Sequence, residues 1–234
     1  MKHRLKNIFR AALLLLFLLC LTGCNDVDSQ LMIDMVKGDL TALYLNEYDE
    51  TYLNLCDMTK EDGEAIYKEG IQYDAEYFCY YWGIIDDGEV TYADLDKKLQ
   101  EEIYNICDTI SKKTKFKVKS AVKQDEESYS VKVIVDTIDI MEKANILYEN
   151  YEPLNAFWER TENVDYMTIP AEEYLALRNE YGFIMVDLMK EVLPDLGYSD
   201  QKSLNIQVEL IDDYWTTNED DLATFYEYHL FYPN

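Results

Sequence analysis

Asp86-Asp87, Asp212-Asp213 and Asp220-Asp221 set carboxylates side by side three times in the 234-residue chain. Two carboxylates held across a cleft, one in an apolar pocket that raises its pKa, are the apparatus of glycoside hydrolysis. Adjacent acids at turns more often serve as solvated turn formers, and among 47 acidic residues the sequence singles out no facing pair. Acid oxygens are also ligands for hard cations. Asp212, Asp213, Glu219, Asp220 and Asp221 form the densest such group and are the candidate cation site. The stretches DMTKEDGEAIY and DDGEVTYADLD contain acids and glycine, but neither fits the spacing of the twelve-residue calcium loop. Aromatic faces beside acids suit a carbohydrate, with the ring stacked and its hydroxyls hydrogen-bonded. Most of the 21 tyrosines fall at core-facing helical spacing. Tyr214 and Trp215 lie instead in an acidic loop and are the candidate ligand contacts.

Other chemistries are poorly served. His229, the one histidine beyond His3, sits in FYEYHLFY, an aromatic strand-like pattern that suits a packed or edge side chain better than a catalytic base. A multi-histidine zinc site or a Ser-His-Asp triad is therefore not expected. The eight glycines form no G-x-G and no G-K-[ST], so no phosphate-cradling loop and no cofactor is expected. Lys112, Lys113, Lys115, Lys117, Lys119 and Lys123 reverse the sign of an otherwise acidic chain. Two readings fit them: contact with a polyanion or anionic lipid, or an edge strand protected by lysine against edge-to-edge pairing.

Cys24 has a different chemistry. Lys2, Arg4, Lys6 and Arg10 precede an apolar block, Ala11 to Leu21, that is shorter than the ~20 residues of a bilayer span. A basic start, an apolar core and small residues before a cleavage point describe a secretory signal. Leu21-Thr22-Gly23-Cys24 resembles the lipobox of bacterial lipoproteins: aliphatic, small, small, cysteine. The resemblance implies a signal peptide over 1–23, a diacylglyceryl group on the Cys24 thiol, and a mature chain that begins there. It implies a membrane-anchored, extracytoplasmic protein, with a Gram-positive envelope expected. Two acyl chains anchor stably where one is marginal. Loss of the four basic residues with the signal would take the net charge from −26 to −30. Such a surface repels nucleic acid and anionic head groups, so the expected partner is the membrane through the lipid alone, with no nucleic acid. Cys56, Cys79 and Cys107 are too few for a disulfide framework, and their apolar surroundings suit buried thiols.

A linker over 24–29 leads to the body, 30–234. Leu40, Tyr44, Tyr48 and Tyr52 recur every four residues, which predicts a helix with Gly38 as a break or tight spot. Thr59 with Asp62, and Thr91 with Asp94, predict capped starts to two more helices. Ile66, Tyr73, Tyr77 and Tyr80 stripe the first of these, ended by Gly83, and Leu95, Leu99, Ile103 and Ile106 or Cys107 stripe the second. KFKVKSAVK and YSVKVIVDTIDI switch to a period of two, with Phe116, Val118, Ser120 and Val122 on one face. Helices then resume, one disturbed at Pro153 and one opened by Pro170 and stopped by Pro194 and Gly197. A second hairpin pairs SLNIQVELI with LATFYEYHLFY across the loop DDYWTTNEDD. Helices followed by a hairpin, arranged twice over 28–140 and 141–234, predict an α+β fold whose hairpins share one antiparallel sheet.

That layout, behind a lipobox and with an acidic, Tyr-rich first half, resembles Gram-positive surface lipoproteins that carry domains of unknown function. The resemblance transfers no catalytic residue. It implies only a surface lipoprotein without an assigned activity. The lack of a catalytic histidine constellation, a cofactor loop and metal-ligand spacing makes a non-catalytic binding or interaction module, with a protein, glycan or cell-wall polymer as partner, the expected role of the body. A glycan-acting enzyme using paired carboxylates and a structural envelope protein are the alternatives.

Overall fold

Met32, Val36, Leu40 and Tyr44 follow one another at four-residue intervals and are all buried, which makes α1 (Ser29–Leu45) amphipathic along that row. The computed structural model describes residues 29–86, 90–212 and 214–233. Asn46 ends α1 with a φ of 56°, a left-handed conformation that asparagine tolerates. The four-residue row of the sequence therefore stops at Tyr44. Tyr48 lies in a turn, and Tyr52 belongs to a separate short helix, α2 (Glu50–Leu55), capped by the Asp49 carboxylate.

Gly38 stays helical and is a tight spot, as its sequence context suggests. The Tyr52 ring lies where its side chain would be, and a Cβ there would come within 2.0 Å of Tyr52 Cδ2.

Thr59 and Asp62 exchange the hydrogen bonds of a capping box at the start of α3 (Lys60–Tyr81), and Gly83, with a φ of 68°, follows its end. Its buried row differs from the expected tyrosine stripe. Ile71, Ala75, Phe78 and Cys79 are inside, while Tyr73 and Tyr77 are half-buried and Tyr80 is exposed. Thr91 and Asp94 also form a capping box, but around a single 3-10 turn (Tyr92–Asp94). The helix α4 (Lys97–Ser111) starts beyond it, with Asp96 accepting from the Lys98 amide, and it buries Leu99, Ile103, Ile106 and Cys107 as expected.

The two hairpins form one antiparallel four-stranded sheet in the order β1 (Lys115–Lys123), β2 (Ser128–Ile138), β3 (Tyr198–Ile211), β4 (Tyr214–Thr217). Asp125 turns the first hairpin by accepting from the Glu127 amide and the Ser128 hydroxyl. Tyr129, Val131, Val133 and Val135 line the inner face of β2, and Ile206 and Val208 that of β3. The register of β1 slips between Val118 and Ser120, so Lys119 is an extra residue against β2. This bulge reverses the alternation. Phe116 and Val118 face inward, but Ala121 takes the next inward place; Ser120 is exposed and Val122 is 57% exposed, contrary to the straight alternation of the sequence reading.

The end of the chain also differs from the expected hairpin. The return strand of the second hairpin is Tyr214–Thr217, inside the presumed loop, and LATFYEYHLFY lies mostly in a helix, α8 (Glu219–His229). Asn218 caps it by accepting from the Asp220 and Asp221 amides, and Glu219, Asp220 and Asp221 occupy the positive first turn. Leu222, Phe225 and His229 recur at helical spacing and are buried. The aromatic richness of the segment masked these signals.

Between the hairpins, α5 (Ile140–Tyr148) and α6 (Glu152–Thr161) are separate helices, with Pro153 in the first turn of α6, where its missing amide hydrogen costs nothing. The long α7 (Ala171–Val192) follows Pro170 and packs against α4, α5 and α6. Tyr181, Met185 and Leu188 are on its buried face as expected, joined by Val186 and Met189.

The chain divides into two compact units that interleave along the sequence and do not follow one another as 28–140 and 141–234. One contains the described parts of 1–70 with 112–137 and 199–230: α1, α2, the start of α3, the sheet and α8. Its core joins α1 and α8 to the inner face of the sheet. The other contains the described parts of 71–111, 138–198 and 231–234 and is built mainly of helices. Cys56, Cys79 and Cys107 are buried free thiols.

Candidate functional site

The first edge strand borders an open groove. Lys115, Phe116 and Lys117 of β1, with Thr114 before it, form one wall. Lys37, Thr41 and Leu45 of α1 form another, and Asp136 of β2 and Gln201 of β3 complete the lining around ≈ 440 Å³. The local structure dictates this grouping. Lys37 and Thr41 are one helical turn apart and therefore adjacent on α1. Lys115 and Lys117 share the outward face of β1, and register sets Lys115 opposite Asp136. Gln201 donates to Asp136 Oδ1 at 2.7 Å, which orients both side chains. Phe116 is half-buried and meets Phe225 edge-on, with ring centroids 5.9 Å apart. The groove can therefore offer ammonium groups, a hydroxyl, an amide, a carboxylate and part of an aromatic surface.

A second, small pocket of ≈ 10 Å³, about the space of one water, lies deeper in the same unit. Asp39, Tyr52, Met58, Thr217 and Leu222 are among its walls. Asp39 is only 4% exposed. Its Oδ1 accepts from the Tyr52 hydroxyl and its Oδ2 from the Thr217 hydroxyl, both at 2.9 Å. Burial pushes the carboxyl pKa up to about 6, against the opposing pull of the Thr217 and Tyr52 hydrogen bonds. Burial likewise pushes the Cys56 thiol up, with the Asp39 charge adding to the effect. Such a thiol is a poor nucleophile.

The residues singled out in the sequence fall elsewhere. Cys24, the signal over 1–23, the linker as far as 28, Asp87 and Asp213 lie outside the described residues. Tyr214 and Trp215 are on β4 and not in a loop. Trp215 belongs to the inner face, packing edge-on against Tyr129 at 5.5 Å, while Tyr214 pairs with Ile211 at the hairpin end. Asp212 occupies the turn between β3 and β4 with a φ of 50°. Glu219, Asp220 and Asp221 stand in the first turn of α8, where Asp221 accepts from the Gln207 amide at 2.8 Å. Burial raises the Asp221 pKa. Among the described residues no group of three or more His, Cys, Asp and Glu side chains converges as a metal site requires. His229 is a packed residue, 1% exposed, with Nδ1 2.8 Å from the Tyr226 carbonyl and with Tyr44, Phe225 and Tyr226 around its ring. Burial pushes its pKa down to about 4.

Sequence reasoning missed both the groove and Asp39. The lysines of β1 are visible as a run, but their association with Lys37 and Gln201 exists only in the fold. For Asp39 a signal was present: an acid beside a glycine, next to the apolar row of α1.

No protein-family model matches the sequence, and no curated protein matches it. The chain is similar in fold to the crystal structure of ycdA, a candidate lipoprotein of Bacillus subtilis strain 168, with a TM-score of 0.51 and 12% sequence identity. The likeness covers 85% of this chain and 55% of that one, so the chain spans about half the length of its structural neighbour.

Proposed function

We propose that this protein is a lipid-anchored, extracytoplasmic lipoprotein whose folded body is a binding module and not a catalyst. The observation that carries the reading is the succession of a basic start, a short apolar block and Leu21-Thr22-Gly23-Cys24. A thiol at that point is where two acyl chains would be attached and the signal removed. The fold likeness to a candidate lipoprotein supports the same reading. No helix among the described residues is long and apolar enough to cross a membrane.

Two features favour binding over catalysis. The one strongly buried acid with a raised pKa, Asp39, lines a water-sized pocket that contains no other acidic side chain among the described residues. Glycoside hydrolysis needs a second carboxylate across a substrate-sized cleft. The larger groove, in contrast, collects several kinds of polar group on an open surface.

Labelling of growing cells with radioactive palmitate tests the anchor. The full chain is expected to carry label in the membrane fraction, and Cys24→Ser to carry none. Equal labelling of both forms, or an unlabelled wild-type chain, contradicts the reading.

A further inference from the structure

Lysines reach the 440 Å³ groove from two different elements: Lys37 from α1, and Lys115 and Lys117 from β1. Protection of an edge strand against aggregation accounts for lysines on β1. It does not account for an ammonium on the facing helix of a chain with 47 acidic and 21 basic residues. Residues two apart on a strand are ~6.8 Å apart on one face, so Lys115 and Lys117 can grip one anionic group together or two in succession.

The rest of the lining narrows the ligand. Asp136 and Gln201 are fixed to each other at 2.7 Å and offer acceptor oxygens, which suit hydroxyl donors. A site for a simple anion needs no such oxygens. Acid groups and hydroxyls occur together in acidic sugars. The volume falls within the ~300–1,000 Å³ of small-molecule sites.

Net charge narrows it further. A chain at −26 repels a densely charged polyanion or an anionic bilayer at long range. Within a screening length of ~8 Å the lysines dominate locally, so a sparsely charged molecule can still bind.

We propose that the groove between α1 and the β1 edge binds an anionic saccharide, its acid group held by Lys37, Lys115 and Lys117 and its hydroxyls by Asp136 and Gln201. The assignment rests on the reading of the body as a binding module, and it gives that module a ligand class.

The test titrates the full-length chain in detergent micelles with four probes, followed by calorimetry. They are trigalacturonate, glucose 6-phosphate, maltotriose as the neutral control, and phosphatidylglycerol vesicles. Saturable binding of trigalacturonate or glucose 6-phosphate is expected, which also separates carboxylate from phosphate as the preferred acid group. Lys37→Glu and the double variant Lys115→Glu/Lys117→Glu should each weaken it by roughly tenfold or more, as loss of close charge pairing does. Lys60→Glu, which alters an exposed pair with Glu64, should bind as wild type does. All four lysines are exposed, so the variants should keep the wild-type unfolding midpoint, which is checked first. Equal affinity for maltotriose, binding to vesicles alone, binding to none of the saccharides, or wild-type affinity in the charge-reversed variants overturns the assignment. Palmitate labelling is indifferent to all these outcomes. A labelled chain that binds no saccharide overturns the groove alone, and an unlabelled chain that binds one overturns the anchor alone.

Discussion

Thr217 on β4 donates a 2.9 Å hydrogen bond to the buried Asp39 carboxylate on α1, joining positions 178 residues apart. Tyr52 satisfies the other carboxylate oxygen. Three elements thus meet on one buried acid. Removal of either donor leaves a buried acceptor without its partner, which costs ~1–3 kcal/mol. Thr217→Val is expected to lose that much stability in urea denaturation. The loss should be larger at pH 8 than at pH 5, because only the ionised carboxylate depends fully on both donors.

Asp39 and His229 should make opposite contributions to stability as pH changes. The folded-state pKa of Asp39 is raised from 3.8 to about 6, so its folded form binds protons more readily. The stability linked to it is present below the unfolded value and is lost as pH rises towards 6. His229 is lowered from 6.5 to about 4, so its contribution is present above 6.5 and is lost as pH falls towards 4. Each displacement corresponds to about 3 kcal/mol. The two effects oppose each other between pH 4 and 6.5. Relative to wild type, Asp39→Asn should gain stability as pH rises through this window, and His229→Phe should lose it. Denaturation at half-unit intervals of pH checks both signs. Parallel curves for all three proteins would contradict the assignment.

Gly38→Ala should destabilise although alanine is the better helix former. The Tyr52 ring occupies the position of the new methyl group, and overpacking costs ~1–3 kcal/mol, more than the ~1 kcal/mol gained in helix propensity. Tyr52→Ala removes the clash, so the double variant should be more stable than the sum of the single effects. A double-mutant cycle by thermal or urea unfolding measures that coupling. Additivity would show that the ring and the methyl group do not compete.

Asn218→Ala should cost ~1 kcal/mol, because the side chain accepts from two amides at the start of α8. That helix carries Leu222 and Phe225 into the core. A fall of a few degrees in the unfolding midpoint is expected, with Asn218→Asp close to wild type.

Much of the architecture could be read from periodicity, and the failures have definite causes. The change from helical to alternating spacing at Lys115 is legible because β1 alternates lysine with apolar or small residues and β2 is rich in β-branched ones. The phase of β1 beyond Val118 was not, because a bulge at Lys119 leaves no mark in composition. The segment after Asn218 has the composition of a strand, and its aromatic enrichment outweighs a capping asparagine and three acids in the first turn. The row of Tyr44, Tyr48 and Tyr52 looked continuous because Asn46 can adopt a left-handed conformation that its neighbours do not announce. The site was less legible than the fold. The groove takes its lining from α1, β1, β2 and β3, and Asp39 meets partners on α2 and β4. Such meetings depend on tertiary pairing and not on local spacing. Tyr214 and Trp215 stood out as loop aromatics, whereas the turn is only the short stretch after Ile211 and Trp215 packs on Tyr129.

The proposed anchor is the thiol of Cys24. Intact mass spectrometry of the native protein, extracted from membranes with detergent, measures it directly. A chain that starts at Cys24 and carries the added mass of a diacylglyceryl group is the predicted result. An unmodified polypeptide that begins before residue 24, or protein recovered free in the culture medium, would contradict it.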